Sequence, residues 1–156
     1  MSKKTVDTKT ESLKIGKFST KYDSLYKEFA TKYGLDWIML KTIAYIESNE
    51  GLFKTTSVDG LSLGLMQITR STAKLFYKRV VTDTELLDDR ISIDIACMLL
   101  KQNVGLFGTN IKYIVMGYNQ NAYDLKKNPP IERSGAINYW TKYQKYNAEI
   151  KKSYNI

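Results

Sequence analysis

The sequence predicts a mainly α-helical domain with at most one small β element. Apolar residues recur at the spacing of a helix face through most of the chain, whereas the alternation typical of strands is scarce. Glycine or a capping residue (Ser, Thr, Asp or Asn) stands where most of these periodic stretches end or begin. The 156 residues suit one domain with a core, and no apolar run reaches the roughly 18 residues that suggest a membrane span.

The helices are predicted in order along the chain. Ser19 or Thr20 caps a first helix that ends at Gly34, and Asp36 caps a second that runs through WIMLKTIAYIES to Ser48. The stretch 49–63 is predicted to be a loop or short hairpin, with any β element within 50–66. Further helices are predicted over 69–79, 87–105, 110–118 and 134–151, and KKNPP breaks the chain before the last.

Charge and composition limit the domain organisation and the partners. We expect residues 1–20 to be a polar, lysine-rich tail without a signal peptide, because no apolar stretch follows the positive charges, and residues 21–156 to be one domain. Of the net charge of +8, residues 1–35 carry +4 and residues 111–156 carry +5. Such ends attract any polyanion. Lysine supplies 20 of the 24 basic residues and no base-reading motif is present, so we expect no specific nucleic-acid binding.

The residue types also limit the chemistry. The chain has no histidine, which excludes Ser-His-Asp and Cys-His nucleophile systems and the usual zinc sites. The single cysteine, Cys97, lies in the apolar run ISIDIACMLL and is predicted to be a buried core thiol. Carboxylates, hydroxyls, amides and lysines remain for catalysis.

Glu47 falls on the apolar face of the second predicted helix. At about 100° per residue it lies within about 20° of Leu40 and one turn beyond Ile43, whereas Lys41 falls toward the edge of that face. A carboxyl in a partly apolar setting has a raised pKa and can act as a general acid near neutral pH. The alternative is a glutamate at the end of a helix that points into solvent.

A glycine-containing segment, Gly64-Leu65-Met66-Gln67, ends twenty residues after Glu47. Gly64 allows a polymer to approach the backbone closely. Met66 offers an adaptable apolar surface and Gln67 an amide that both donates and accepts. The alternative for Met66 is core packing.

These residues carry a resemblance to a known family. Glu47-Ser48, then S-x-x-G at 57–60, then GLMQI resemble the motifs of the family 1 soluble lytic transglycosylases, which have a goose-type lysozyme-like fold. The rest follows in the family's order over about residues 22–146, with LLDDRISI at 86–93, MGYN at 116–119 and NYW at 138–140. The chain departs from the family at Gly117, at Gln120-Asn121, at Asp89-Arg90 and in a loop about one or two residues longer before GLMQ.

The resemblance implies a role for seven residues. Glu47 matches the single catalytic acid/base. The implied substrate-binding residues are Ser57, near the reacting sugar; Met66 and Gln67, in the glycan groove; Tyr118 and Asn119, beside the acid; and Tyr139, which closes the cleft from the last helix.

The resemblance implies a peptidoglycan lytic transglycosylase that forms a 1,6-anhydro product without a metal or cofactor. The alternatives are a hydrolytic muramidase on the same fold, which needs a second carboxylate, and a non-catalytic peptidoglycan- or nucleic-acid-binding protein. Glu50 and Asp59 are predicted to be solvated loop carboxylates and not that second group. We expect a monomer that acts on the bacterial cell wall as a phage lysis or virion protein.

Overall fold

The computed structural model of the protein describes residues 18–55 and 60–156. Within these ranges the chain is mainly helical, as predicted, with one two-stranded antiparallel sheet. The elements are α1 (Asp23–Tyr33), α2 (Trp37–Ser48), β1 (Ser62–Leu63), β2 (Ile68–Thr69), α3 (Arg70–Tyr77), α4 (Asp83–Leu86), α5 (Asp89–Phe107), α6 (Ile111–Asn119), α7 (Ala122–Leu125) and α8 (Ser134–Ser153).

Helices α2 and α5 each begin at an aspartate cap, of which Asp36 is the one that the sequence predicts. Asp36 accepts a 2.9 Å hydrogen bond from the backbone N–H of Ile38, and Asp88 accepts one of 3.1 Å from that of Ile91. The capping prediction for α1 is wrong at its start. Ser19 bonds the N–H of Lys21 instead, and the helix begins three residues after Thr20.

Helix α2 lies at the centre of the domain. Residues from Ile38 to Tyr45 are buried on every side of it, as expected for a helix that neighbours surround. Helices α1 and α8 pack on it, and α6 packs between α5 and α8. At the end of α2, Ser48 is buried and Glu47 is partly buried, so the packing of the domain covers Glu47 in part.

The β element lies slightly later in the chain than predicted. Ser62 pairs with Thr69 and Leu63 with Ile68, so GLMQ forms the turn of a hairpin. Gly64 and Gln67 both have positive φ, 88° and 51°, which lets the four residues reverse the chain. The GLMQ segment is thus a turn held at both ends by a strand.

Sequence analysis missed the short helices α4 and α7. Both are single turns set by side-chain caps, and in α4 Thr82 and Glu85 form a capping box. Such short elements have no apolar periodicity to detect.

The N-terminal boundary also differs from the prediction. Most of the predicted tail, residues 1–17, lies outside the described residues. Phe18 packs edge to face on Tyr45, with ring centroids 5.0 Å apart, so the packed domain includes residues 18–20. None of the helices in the described part of the chain has the length and hydropathy that a membrane crossing requires. Cys97 is fully buried, as predicted, and burial raises the pKa of its thiol to about 12.

Candidate active site

Glu47 lies in the last turn of α2, and its side chain is partly buried. Its Oε2 accepts a 2.6 Å hydrogen bond from the hydroxyl of Tyr139 on α8. Tyr139 is only 6% exposed, so this bond is shielded from solvent. The carboxylate is therefore held by a neighbouring helix. This is contrary to the alternative interpretation, in which Glu47 points freely into solvent.

Tyr118 on α6 joins this pair to the GLMQ turn. Its ring stacks on that of Tyr139, with centroids 6.5 Å apart and an interplanar angle of 27°. Its hydroxyl donates a 2.6 Å hydrogen bond to the carbonyl oxygen of Met66. Residues from α2, α6, α8 and the hairpin turn thus meet at one place, as the resemblance predicted for Glu47, Tyr118 and Tyr139.

The two phenols stay protonated at neutral pH. Burial raises the pKa of Tyr118 and of Tyr139 well above the ordinary value, and the charge of Glu47 raises both further. A protonated Tyr139 is a hydrogen-bond donor, which suits it to hold the carboxylate form of Glu47.

Ser48, the residue after Glu47, ties the end of α2 to the hairpin turn. Its hydroxyl donates a 2.7 Å hydrogen bond to the carbonyl of Leu65 and accepts one of 2.8 Å from the N–H of Gly51. Ser48 is 1% exposed. The Glu-Ser pair therefore combines a functional candidate with the group that fixes it to the turn.

Gly64 has a structural role that the sequence interpretation did not foresee. We expected its small size to admit a polymer. Instead, a Cβ at this position would lie 2.1 Å from the carbonyl oxygen of Leu86, so the chain's own backbone occupies the space. The N–H of Met66 donates to Ser92 Oγ on α5 at 2.9 Å, which holds the turn against that helix. The close approach at Gly64 is therefore internal.

Met66 and Gln67 differ in what they offer. Met66 is 0% exposed and packs in the core, so its side chain presents no surface to a substrate here and the packing alternative is the correct one. Gln67 is partly buried, and its Nε2 donates to the carbonyls of Gly64 (3.1 Å) and Lys54 (3.3 Å). Only the amide oxygen of Gln67 remains for other contacts among the described residues.

Two further predicted substrate-binding residues remain, Asn119 and Ser57. Asn119 is exposed, and its Oδ1 lies 3.6 Å from the position that a Cβ on Gly135, at the start of α8, would occupy. Ser57 lies outside the described residues. Its role stays a prediction.

The two departures that follow Tyr118-Asn119 stabilise the segment leading into α8. Gln120 donates to the carbonyl of Ile131 at 2.8 Å and accepts from the N–H of Arg133 at 3.0 Å. Asn121 caps α7 by accepting from the N–H of Tyr123. The larger side chains thus fix the approach to the helix that carries Tyr139.

A buried charged cluster that includes Glu50, three residues after Glu47 in the chain, was not predicted. Lys41, predicted at the edge of the apolar face, is 0% exposed. Its Nζ lies 2.6 Å from Asp23 and 3.4 Å from Glu50. The prediction that Glu50 is solvated is wrong, because its side chain is 4% exposed. The spacing of these three residues in the sequence gives no indication that they meet. Only the opposite charges of Lys41 and the two acidic residues could have suggested that they pair.

The described residues contain no group of three or more acidic or cysteine side chains that could hold a metal ion. The described site offers the Glu47 carboxylate, two protonated phenols and the side-chain amides of Gln67 and Asn119, and a carboxylate beside phenols suits proton transfer.

Comparison with known proteins places this arrangement among enzymes. The sequence matches the family described as the transglycosylase SLT domain over residues 24–148. It is similar to the peptidoglycan transglycosylase gp16 of Escherichia phage T7, with 31% identity over 113 residues, which is 71% of this chain. The match spans only 8% of the length of that phage protein.

Proposed function

Because this chain belongs to the transglycosylase SLT family, we propose that it is a peptidoglycan lytic transglycosylase that cleaves the β-1,4 bond between N-acetylmuramic acid and N-acetylglucosamine. Glu47 is its single acid/base. The hydrogen bond from Tyr139 carries the proposal, because it holds a partly buried carboxylate at the position that the motif assigns to the catalytic acid. The name of the phage relative supports peptidoglycan as the substrate.

The reaction needs one proton donor that later accepts a proton. Protonated Glu47 gives its proton to the glycosidic oxygen, and the bond to the anomeric carbon breaks. The acetamido group of the substrate stabilises the cationic centre. The C6 hydroxyl of the same sugar then attacks the anomeric carbon while the Glu47 carboxylate takes its proton. A 1,6-anhydro ring closes, no water is consumed, and Glu47 returns to its starting state.

The environment of Glu50 supports this route over hydrolysis. A hydrolytic muramidase would need a second carboxylate to position water, and Glu50 is the acidic residue closest to Glu47 in the chain. Its side chain is already engaged by Lys41 and by the Tyr26 hydroxyl, which donates to it at 3.0 Å. Asp59 lies outside the described residues. Glu50 is therefore unsuited to activate water.

We assign the glycan contacts to the residues around Glu47 that the fold leaves accessible. Asn119 is exposed, and the Gln67 amide oxygen has no partner among the described residues. Tyr118 and Tyr139 shape the wall behind Glu47. Met66 acts through its carbonyl, which positions Tyr118.

The setting is a phage lysis or virion protein that acts as a monomer on the bacterial cell wall. The phage relative supports this setting. The basic ends of the chain, +4 over residues 1–35 and +5 over residues 111–156, favour retention on anionic wall polymers.

A digest of purified peptidoglycan, with the products weighed by mass spectrometry, tests the proposal. The wild type should release anhydro-muropeptides, which are one water lighter than hydrolysis products, and Glu47→Gln should release none. Glu28→Gln, which alters an exposed glutamate paired with Arg90, is the matched control and should match the wild type. Reducing-end products would instead establish a muramidase. Equal inactivity of the wild type and Glu47→Gln would favour a binding protein.

A further inference from the structure

The backbone directly after α2 adopts an unusual conformation. Asn49, Glu50 and Gly51 have positive φ values of 49°, 50° and 87° in succession. Glycine adopts this region freely and asparagine tolerates it at the end of a helix, but glutamate does so only where its surroundings hold it there. The N–H of Glu50 donates to the carbonyl of Ala44 at 3.0 Å, which turns the chain back over the end of the helix.

The side chain of Glu50 adds contacts to the backbone and Ser48 hydrogen bonds that hold this turn. It is directed inward, where Tyr26 donates to it at 3.0 Å and Lys41 lies 3.4 Å away. Lys41 in turn lies 2.6 Å from Asp23 near the start of α1. The turn after Glu47 is thereby fastened to both α1 and the interior of α2.

Stability alone does not account for this cluster. Burial raises the pKa of Glu50, although Lys41 opposes that effect, so keeping this carboxylate charged in the interior is unfavourable. Buried ion pairs commonly stabilise a fold no better than apolar residues of the same volume. What the cluster provides is a fixed direction, because Tyr26 and Lys41 converge on one carboxylate just after the helix that presents Glu47.

We propose that Glu50 is a positioning residue that, by fastening the turn after α2 to Lys41 and Tyr26, fixes the direction of Glu47 toward Tyr139. This inference rests on the proposed function, since it assigns Glu47 the catalytic proton transfer. Glu50 itself touches neither the substrate nor the reacting atoms. It keeps Glu47 in the geometry in which the C6 hydroxyl is deprotonated sooner than water.

Two variants test the inference. Glu50→Gly keeps a backbone that tolerates positive φ and removes the inward contacts, whereas Glu50→Gln keeps an acceptor for Tyr26 and removes the charge pairing with Lys41. We expect kcat per folded molecule to fall about tenfold or more in Glu50→Gly, because small displacements of a catalytic group cause losses of this size. KM should change little. Reducing-end products should rise relative to anhydro products. Glu50→Gln should show the same changes to a smaller extent.

A matched control separates positioning from stability. Asp94 is another partly buried carboxylate that accepts from two tyrosines, Tyr33 and Tyr77, but it joins α1, α3 and α5 and does not contact the end of α2. Asp94→Asn should lower the thermal midpoint and leave kcat per folded molecule and the product ratio at wild-type values. Unchanged kcat and product ratio in both Glu50 variants would overturn the inference.

A crystal structure of each Glu50 variant gives a result that does not depend on turnover. The distance from the Tyr139 hydroxyl to Glu47 Oε2 should lengthen from 2.6 Å to beyond hydrogen-bonding range in Glu50→Gly. An unchanged bond would overturn the inference even if the wild type proved inactive on peptidoglycan. Inactivity of the wild type, by contrast, would count against the proposed function alone. If Glu50→Gly does not fold, Glu50→Gln supplies both readouts.

Discussion

The hydroxyl of Tyr139 donates a 2.6 Å hydrogen bond to Oε2 of Glu47, and the two residues are 92 positions apart in the chain. The bond joins the last helix to the central one. Glu47 is held from one side by α8, while Ser48, next to it, is held by the hairpin turn. The candidate acid is therefore positioned by elements distant in sequence, and loss of Tyr139 should affect it directly.

Tyr139→Phe removes this hydrogen bond and keeps the ring that stacks on Tyr118. Hydrogen bonds to charged groups are worth about 1.5–3 kcal/mol, so we expect activity to fall roughly tenfold to a hundredfold. The measurement is the initial rate of anhydro-muropeptide release, corrected for the folded fraction.

Tyr143→Phe is the matched control for that variant. Tyr143 lies one turn further along α8, is 4% exposed and stacks on Trp140, with its hydroxyl 3.3 Å from the amide nitrogen of Asn147. It should change stability slightly and leave the rate per folded molecule unchanged. Equal rates for the two variants would mean that the Tyr139 hydroxyl does not support Glu47.

Local patterns predicted the longer helices because each has apolar periodicity, and α2, α3, α5 and α6 also begin at a capping side chain. The predicted cap Ser134 is instead the first residue of α8, which no side chain in the described part of the chain caps. Helix α2 is the clearest case, since Asp36 begins it and the stripe through Leu40 and Ile43 leads to Glu47. The position of Glu47 on a buried face could thus be found from the sequence. Its partner Tyr139 could be found only through the family resemblance, because no local signal connects residues on separate helices.

The contacts that support the site were less predictable, since they depend on how segments cross in space. Gly64 could be noticed, but not that the carbonyl of Leu86 lies against it. Met66 was expected to line the groove, yet a residue within a turn that is packed against α5 is buried on all sides. The pairing of Lys41 with Glu50 likewise depends on a left-handed turn that no residue pattern at 49–51 indicates except Gly51.

The domain should lose stability as the pH rises above 10. The pKa of Tyr118 and of Tyr139 is raised well above 10 in the folded state, by burial first and then by the charge of Glu47. A raised folded pKa contributes stability that is fully present below the unfolded value near 10 and is lost as the pH rises toward the folded value. The urea midpoint should therefore decline above pH 10. In a pH titration of the folded protein, part of the tyrosinate absorbance should appear only at a higher pH than for exposed tyrosines.

Tyr139→Phe provides the check on this assignment. Removing one of these phenols should make the alkaline decline in the urea midpoint shallower. Complete ionisation of all twelve tyrosines near pH 10 without any change in the midpoint would contradict the burial of Tyr118 and Tyr139.

Gly64→Ala should disrupt the hairpin turn. Its φ is 88°, and the added Cβ would lie 2.1 Å from the Leu86 carbonyl, which is backbone and cannot rotate away. We expect a loss of about 3 kcal/mol or more in the free energy of unfolding, at or above the usual range for overpacking. Gly60→Ala is the control, because Gly60 also has positive φ, 68°, but none of the described residues has an atom within 4 Å of the added Cβ. Similar losses in both would show that backbone strain, and not contact with Leu86, requires Gly64.

Gly117, where the family has alanine, is matched to Asn103. A Cβ at Gly117 would lie 2.9 Å from Nδ2 of Asn103, which is fully buried and donates to the carbonyl of Ile114 at 3.0 Å. Gly117→Ala should therefore cost about 1–3 kcal/mol in the free energy of unfolding. In an Asn103→Ala background the same change should cost less, because the closest contact is gone and only that with the Cβ of Ala122, 3.2 Å away, remains.

A double-mutant cycle measured by urea unfolding gives the coupling between the two positions, which we expect to be about 0.5–3 kcal/mol. Gly105→Ala serves as the control, since Gly105 lies within α5 with no atom near a Cβ and should gain about 0.5–1 kcal/mol from the better helix former. Additive effects of Gly117→Ala and Asn103→Ala would mean that contact with Asn103 is not what requires a glycine before Tyr118. A coupled pair would mean that this chain reached the family's helix packing with a different pair of side chains.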